Sequence, residues 1–134
     1  MPFDELNYFA ILVAAVGGFM VAGLWYSNSL FAKDWMTENN FTAEDLADPK
    51  PAMIKSFIAT LLLAFGLAIL LRLTGTTGWL HGAAFGTILA IFIHGAAGFP
   101  NYVFEQKSLR LFMIHLGNSV FGLMLMGAIL ATWT

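Results

Sequence analysis

Cysteine is absent from this 134-residue chain. That excludes disulfides, thiolate catalysis and cysteine-ligated zinc or iron–sulfur centres. Charge is scarce as well. Only 10% of residues are Asp, Glu, Lys or Arg, against about 25% in an ordinary soluble domain. With six basic residues scattered along the chain and a net charge of −2, there is no basic stripe to hold nucleic acid. The motifs of soluble enzymes are missing too: no Gly-rich phosphate loop, no G-x-S-x-G elbow and no H-E-x-x-H pair. These absences predict a protein that is not an enzyme and has no cofactor.

Apolar residues fill the chain instead, at 59%. A soluble domain this short has too much surface for its volume to bury so many of them; a bilayer solvates them directly. Residues 6–32, 56–71, 73–104 and 111–134 contain no Asp, Glu, Lys or Arg. A helix crosses a hydrocarbon core about 30 Å thick with about 20 mostly apolar residues. The second window reaches that length when Lys55 and Arg72 snorkel to opposite interfaces. The pattern predicts an all-α fold, a bundle of four transmembrane helices over about 7–30, 52–73, 79–104 and 109–133. One integral membrane domain takes in the whole of residues 1–134. Asp4 and Glu5 ahead of the first apolar run, and Trp25-Tyr26 at its close, read as a retained helix rather than a secretory signal.

The one substantial loop, residues 32–51, carries Thr42-Ala43-Glu44-Asp45, an N-cap with acids in the first turn. It predicts a short helix over 43–47 lying on the bilayer surface, with Trp35, Met36 and Phe41 toward the lipid. Pro100 predicts a kink in the third span. Five of the six lysines and arginines fall in the first and third loops and only Arg72 on the opposite side. That asymmetry places those loops in the cytoplasm and both termini outside.

Three groups of residues stand out. Small residues recur every four positions at Ala14, Gly18 and Ala22, and again at Gly82 and Gly86; such rows let helices approach closely. Polar residues share one face of the third span (His94, Asn101, Glu105) and one face of the fourth (His115, Asn118, Ser119). The tight turn near residue 106 makes these spans antiparallel neighbours, with His94 at the depth of Asn118 and Ser119. Two readings fit this seam: interhelical hydrogen bonds that glue the bundle, or a hydrated path or small site in which histidine relays protons. Two histidines without nearby carboxylates fall short of a metal's ligand count, so no metal is expected. The third group closes the first span, with Trp25, Tyr26, Ser27, Asn28, Lys33 and Trp35 in a short stretch. It reads either as an aromatic interfacial belt or as a surface for a headgroup or partner.

The run Leu24-Trp25-Tyr26-Ser27 and then Leu30-Phe31-Ala32-Lys33-Asp34-Trp35-Met36 resembles the signature of an uncharacterised bacterial family of small four-helix membrane proteins. Thr42-Ala43-Glu44-Asp45 is similar to that family's capped loop. Tyr102-Val103-Phe104-Glu105, Leu109-Arg110-Leu111-Phe112-Met113-Ile114 and Met126-Gly127-Ala128-Ile129-Leu130 resemble its last hairpin. The resemblance covers nearly the whole chain. It implies a multi-pass protein of the bacterial cytoplasmic (inner) membrane and carries no activity with it. The expected partners are the lipid bilayer and either further copies of the chain, as a homo-oligomer, or a larger membrane complex. Two functions remain open: a non-enzymatic accessory or assembly subunit, and a small oligomeric channel or transporter lined by the polar faces of the third and fourth spans. No acid lies deep in a span, which counts against an antiporter of the small multidrug type, whose length and helix count are similar but which depends on a buried glutamate.

Overall fold

The computed structural model describes residues 3–133, and among these there are helices and turns but no strand. Asn7 opens α1 (Tyr8–Trp25), its side-chain oxygen accepting from the Ala10 N–H at 3.0 Å and so satisfying one of the first-turn amides that a helix leaves orphaned. The 18 residues of α1 rise about 27 Å, barely a hydrocarbon thickness. The helix ends five residues before the expected position 30. Ser27-Asn28-Ser29 follow it as a turn, and the Ser27 hydroxyl bonds back to the Leu24 carbonyl. Small polar side chains of this kind compete for backbone groups and break helices.

The first loop is more ordered than its sequence announces. An unexpected helix, α2 (Ala32–Asn39), stops at Asn40, which is left-handed at φ 58°. Asparagine tolerates that conformation better than most residues. The capped segment forms as a single 3-10 turn, Ala43–Asp45, shorter than the helix expected over 43–47, with Thr42 and Asp45 closing a reciprocal capping box. The backbone N–H of Thr42, then its hydroxyl, hold the Asp45 carboxyl below the usual carboxylate range.

Asp48 caps α3 (Pro49–Thr74), with Pro49 in the first turn, where its missing N–H costs nothing. The helix therefore begins three residues before the expected start, and it stops at Gly75, left-handed at φ 65°. α4 covers Trp79–Phe104 and α5 Leu109–Thr132; with α1 and α3 they are the four helices long and apolar enough to cross a membrane. Within α4, residues Leu89–Gly95 form a π-helical stretch. The irregularity thus lies ahead of Pro100, which continues inside helical structure.

The four long helices run up and down, and α5 packs against each of the other three. At the end where α1 begins and α5 finishes, the Gly78 N–H donates to the Ala131 carbonyl and Arg72 pairs with Glu5 at 2.9 Å. At the other end lie α2, Arg110 and the α4–α5 turn, with Arg110 paired to Asp34 and the Ser108 hydroxyl donating to Glu38. Both contacts pull α2 onto the start of α5.

Small side chains dominate the packing. Ala10, Ala14, Ala15, Ala64 and Ala90 have no exposed surface, around Leu67, Leu123 and Met126. The closest approach is between α4 and α5. A Cβ placed on Gly82 would fall 2.1 Å from the Gly127 carbonyl oxygen, and one on Gly86 would fall 2.0 Å from that of Leu123. Here backbone touches backbone, as helices do in a membrane where packing rather than the hydrophobic effect holds them together. Of the small-residue row on α1, Ala14 and Gly18 are buried and Ala22 only half-buried.

α3 and α4 scarcely meet. The buried residues of α3 all lie in its second half (Ala64, Leu67, Ala68, Leu71), and the stretch Ala96–Phe104 of α4 has none. The two helices therefore diverge toward the α2 end of the molecule. The gap between them is floored by α5.

Candidate functional site

The gap between α3 and α4 begins at mid-span. His94 lies ten residues from the end of α4 at Phe104, about 15 Å along the helix axis. The π-helical stretch that carries it ends in Gly95, whose Cβ would sit 2.7 Å from Leu116 and 2.9 Å from the Ala90 carbonyl oxygen. A side chain at 95 would meet the flexible end of Leu116 and the helix's own Ala90 carbonyl, so glycine leaves room for the widened turn beside α5. Wide turns of this kind are frequent at functional sites.

Two recesses that share His94, Leu63 and Leu123 lie at the gap. One, of about 100 Å³, gathers His94, Asn118, Ser119 and Thr60, with Gly122 and Met126, and Gly18 and Ala22 of α1 close it on a further side. The other, of about 260 Å³, is apolar, walled by Leu62, Leu63, Gly66, Leu67 and Leu70 of α3 and by Leu89 and Ile93 of α4. Leu123 of α5 floors both. No Asp, Glu, Lys or Arg lines either recess. The Thr60 hydroxyl is committed to the Ser56 carbonyl at 2.8 Å. Among the described residues, no side-chain hydrogen bond involves His94, Asn118 or Ser119. His94 is exposed. Three polar side chains thus stand at mid-membrane depth with donors and acceptors free.

The remaining residues of the expected seam go elsewhere. Asn101 and Glu105 are exposed and line neither recess. His115 faces α1 instead: its Nδ1 meets the Tyr26 hydroxyl at 2.5 Å, and its ring lies 5.5 Å from that of Tyr26 and 6.1 Å from Tyr102. The polar faces of α4 and α5 therefore separate into two places and do not run as one line through the bundle.

Trp25 is built into the structure rather than spread at the lipid interface. Its indole Nε1 donates to the Ile114 carbonyl at 2.8 Å, and its ring packs on Phe31 at 4.6 Å and Phe121 at 5.5 Å. It lies across α5 at Gly117, where a Cβ would come 2.4 Å from the ring. Tyr26 adds the contact to His115, and the Asp34–Arg110 and Glu38–Ser108 contacts extend the clamp through α2. Trp35 packs on Phe41. Ser27 makes only its local bond to Leu24, while Asn28 and Lys33 are exposed. The aromatic run after α1 thus locks α1 and α2 to the first half of α5.

Thr60 and Gly66 belong to the gap, and sequence reasoning passed over them; Gly122, on the same face of α5 as Asn118 and Ser119, joins them. Thr60 is one of three hydroxyls in α3, with Ser56 and Thr74, in what is otherwise the plainest apolar span. Gly122 is buried, yet a Cβ there would meet nothing within 4 Å; the glycine backs empty space, which only the packing reveals. Among the described residues, no three of His, Asp or Glu come close enough to hold a metal ion.

The chain belongs to a known family: the model described as "Protein of unknown function (DUF1761)" matches residues 9–131. No curated protein and no solved structure matches it. The match runs from the first turn of α1 to the last turn of α5, so the α3–α4 gap and the Trp25 clamp both lie inside the matched region.

Proposed function

We propose that this multi-pass family member is a non-enzymatic accessory subunit of a bacterial inner membrane, which takes a membrane-embedded partner into the gap between α3 and α4. The observation that carries the reading is where the polar groups stop. His94, Asn118 and Ser119 gather in one recess beside two helices that scarcely touch, and His94 is exposed there. A conduit needs polar groups spaced from one face of the membrane to the other. Here His115 is turned to Tyr26, and Asn101 and Glu105 are on the outside. Polar groups left facing hydrocarbon are costly, and a partner that satisfies them gains what the lone chain lacks. The lysine and arginine asymmetry favours termini outside and the α2 end in the cytoplasm.

Reconstitution into sealed liposomes tests it. Proton and alkali-cation flux should stay at the level of protein-free vesicles at every protein density. Saturable flux that falls in His94→Ala would replace the accessory reading with a transport one.

A further inference from the structure

Resting on the reading of the α3–α4 gap as the working surface, we infer that its occupant is a small neutral lipid with a carbonyl-bearing ring head and an apolar tail, the chemistry of an isoprenoid quinone.

Size is the first argument. A helical segment of ten residues, about 10 Å across and 15 Å long, displaces on the order of 1,200 Å³. The recesses hold about 100 and 260 Å³ and are floored by Leu123, because α3 and α4 both remain packed on α5. The groove is chain-wide, not helix-wide. Charge is the second. With no ionisable Asp, Glu, Lys or Arg on either wall, a phosphate, carboxylate or ammonium head would be buried without a counter-ion, at heavy cost. Depth is the third. A phospholipid keeps its head at the interface, whereas His94 lies about 15 Å from the end of its helix. A neutral head that can sit at mid-membrane is required.

Hydrogen bonding then selects within the neutral lipids. The Asn118 amide, the Ser119 hydroxyl and a ring N–H of His94 are donors with no side-chain partner, grouped around the smaller recess. Ring carbonyls are pure acceptors, and a single ring matches about 100 Å³ in scale. The tail continues into the larger recess along Leu63, Leu67 and Ile93. The two glycines that face the groove fit the same picture. A Cβ on Gly66 or Gly122 would meet nothing within 4 Å, so neither is needed for contact inside the chain; both leave room.

The test is tryptophan quenching by a short-tailed isoprenoid benzoquinone in nanodiscs, with a polyprenol as competitor. The wild type should bind the quinone saturably, and the polyprenol should not displace it. Gly122→Val fills the recess and should weaken binding roughly tenfold or more, as a pocket-blocking change does. His94→Leu removes one donor and should weaken it roughly three- to tenfold. Both variants should keep the wild-type melting profile, and Met20→Val, on the bare lipid face of α1, should bind as the wild type does. Quenching that is unsaturable, equal in Gly122→Val, or fully reversed by the polyprenol overturns the inference. A wild type that passes no ions and binds no quinone sinks this inference and leaves the accessory reading standing; saturable flux sinks the accessory reading itself.

Discussion

The glycines offer a graded test of how the helices are held. At Gly86, an added Cβ would sit 2.0 Å from the Leu123 carbonyl oxygen and 2.6 Å from its carbon. Carbon contacts are comfortable at about 3.5–4.0 Å, so Gly86→Ala must push α4 off α5 by more than an ångström, against backbone that cannot rotate aside. Overpacking of this kind costs about 1–3 kcal/mol. Gly127→Ala meets the Gly82 carbonyl at 2.1 Å and should cost as much. At Gly18 the obstacle is the Met126 sulfur at 2.5 Å, the flexible end of a side chain, so Gly18→Ala should cost less than either. Gly66→Ala meets nothing within 4 Å and should be neutral or gain up to about 1 kcal/mol from helix propensity. Thermal unfolding in a mild detergent, followed by circular dichroism and size exclusion, gives the ranking. Equal losses at positions 86, 18 and 66 would refute the claim that backbone contact between α4 and α5 is the tightest joint in the fold.

Other consequences can be checked separately. Trp25→Phe keeps the ring on Gly117 but loses the bond to the Ile114 carbonyl, and should cost about 0.5–1.5 kcal/mol in the same unfolding assay; a neutral result would mean the clamp is not formed in detergent. Arg110→Gln breaks an exposed ion pair with Asp34 and should cost no more than about 1 kcal/mol, shrinking further in high salt. The Asp45 carboxyl titrates below its ordinary value of 3.8. The capping box is therefore favoured at pH above that value and lost as pH falls through the lowered one; a carboxyl-carbon NMR titration should show Asp45 protonating below 3.8, and a midpoint at or above it would mean the box is not formed. Cysteines placed at positions 40 and 132 of this cysteine-free chain should react with an impermeant thiol reagent in intact cells at 132 and not at 40; the reverse overturns the orientation.

Much of the fold is legible in the sequence because lipid is a demanding solvent. Four uncharged windows leave few arrangements, and α3, α4 and α5 fall within three residues of their expected ends. The first loop was harder. α2 has a mixed composition and is held by contacts with α5 that are distant in sequence, so no local pattern announces it. The small-residue rows set Gly82 and Gly86, which are buried, beside Ala22, which is only half-buried, and leave out Gly127, since periodicity identifies a face and not which neighbour presses on it. The polar seam shows the same limit. Counting from the turn brought His94 to the depth of Asn118 and Ser119, where the structure gathers them. It could not tell that His115 turns toward Tyr26, or that Thr60 completes the recess from α3.

The direction in which the gap opens separates an accessory protein from a conduit, and a nitroxide attached to a cysteine at position 122 reads it directly. Power saturation in bilayers should show the label relaxed strongly by oxygen, which dissolves in lipid, and hardly at all by a water-soluble nickel chelate. Strong relaxation by the chelate would mean that water reaches His94 and its neighbours, and would contradict the account.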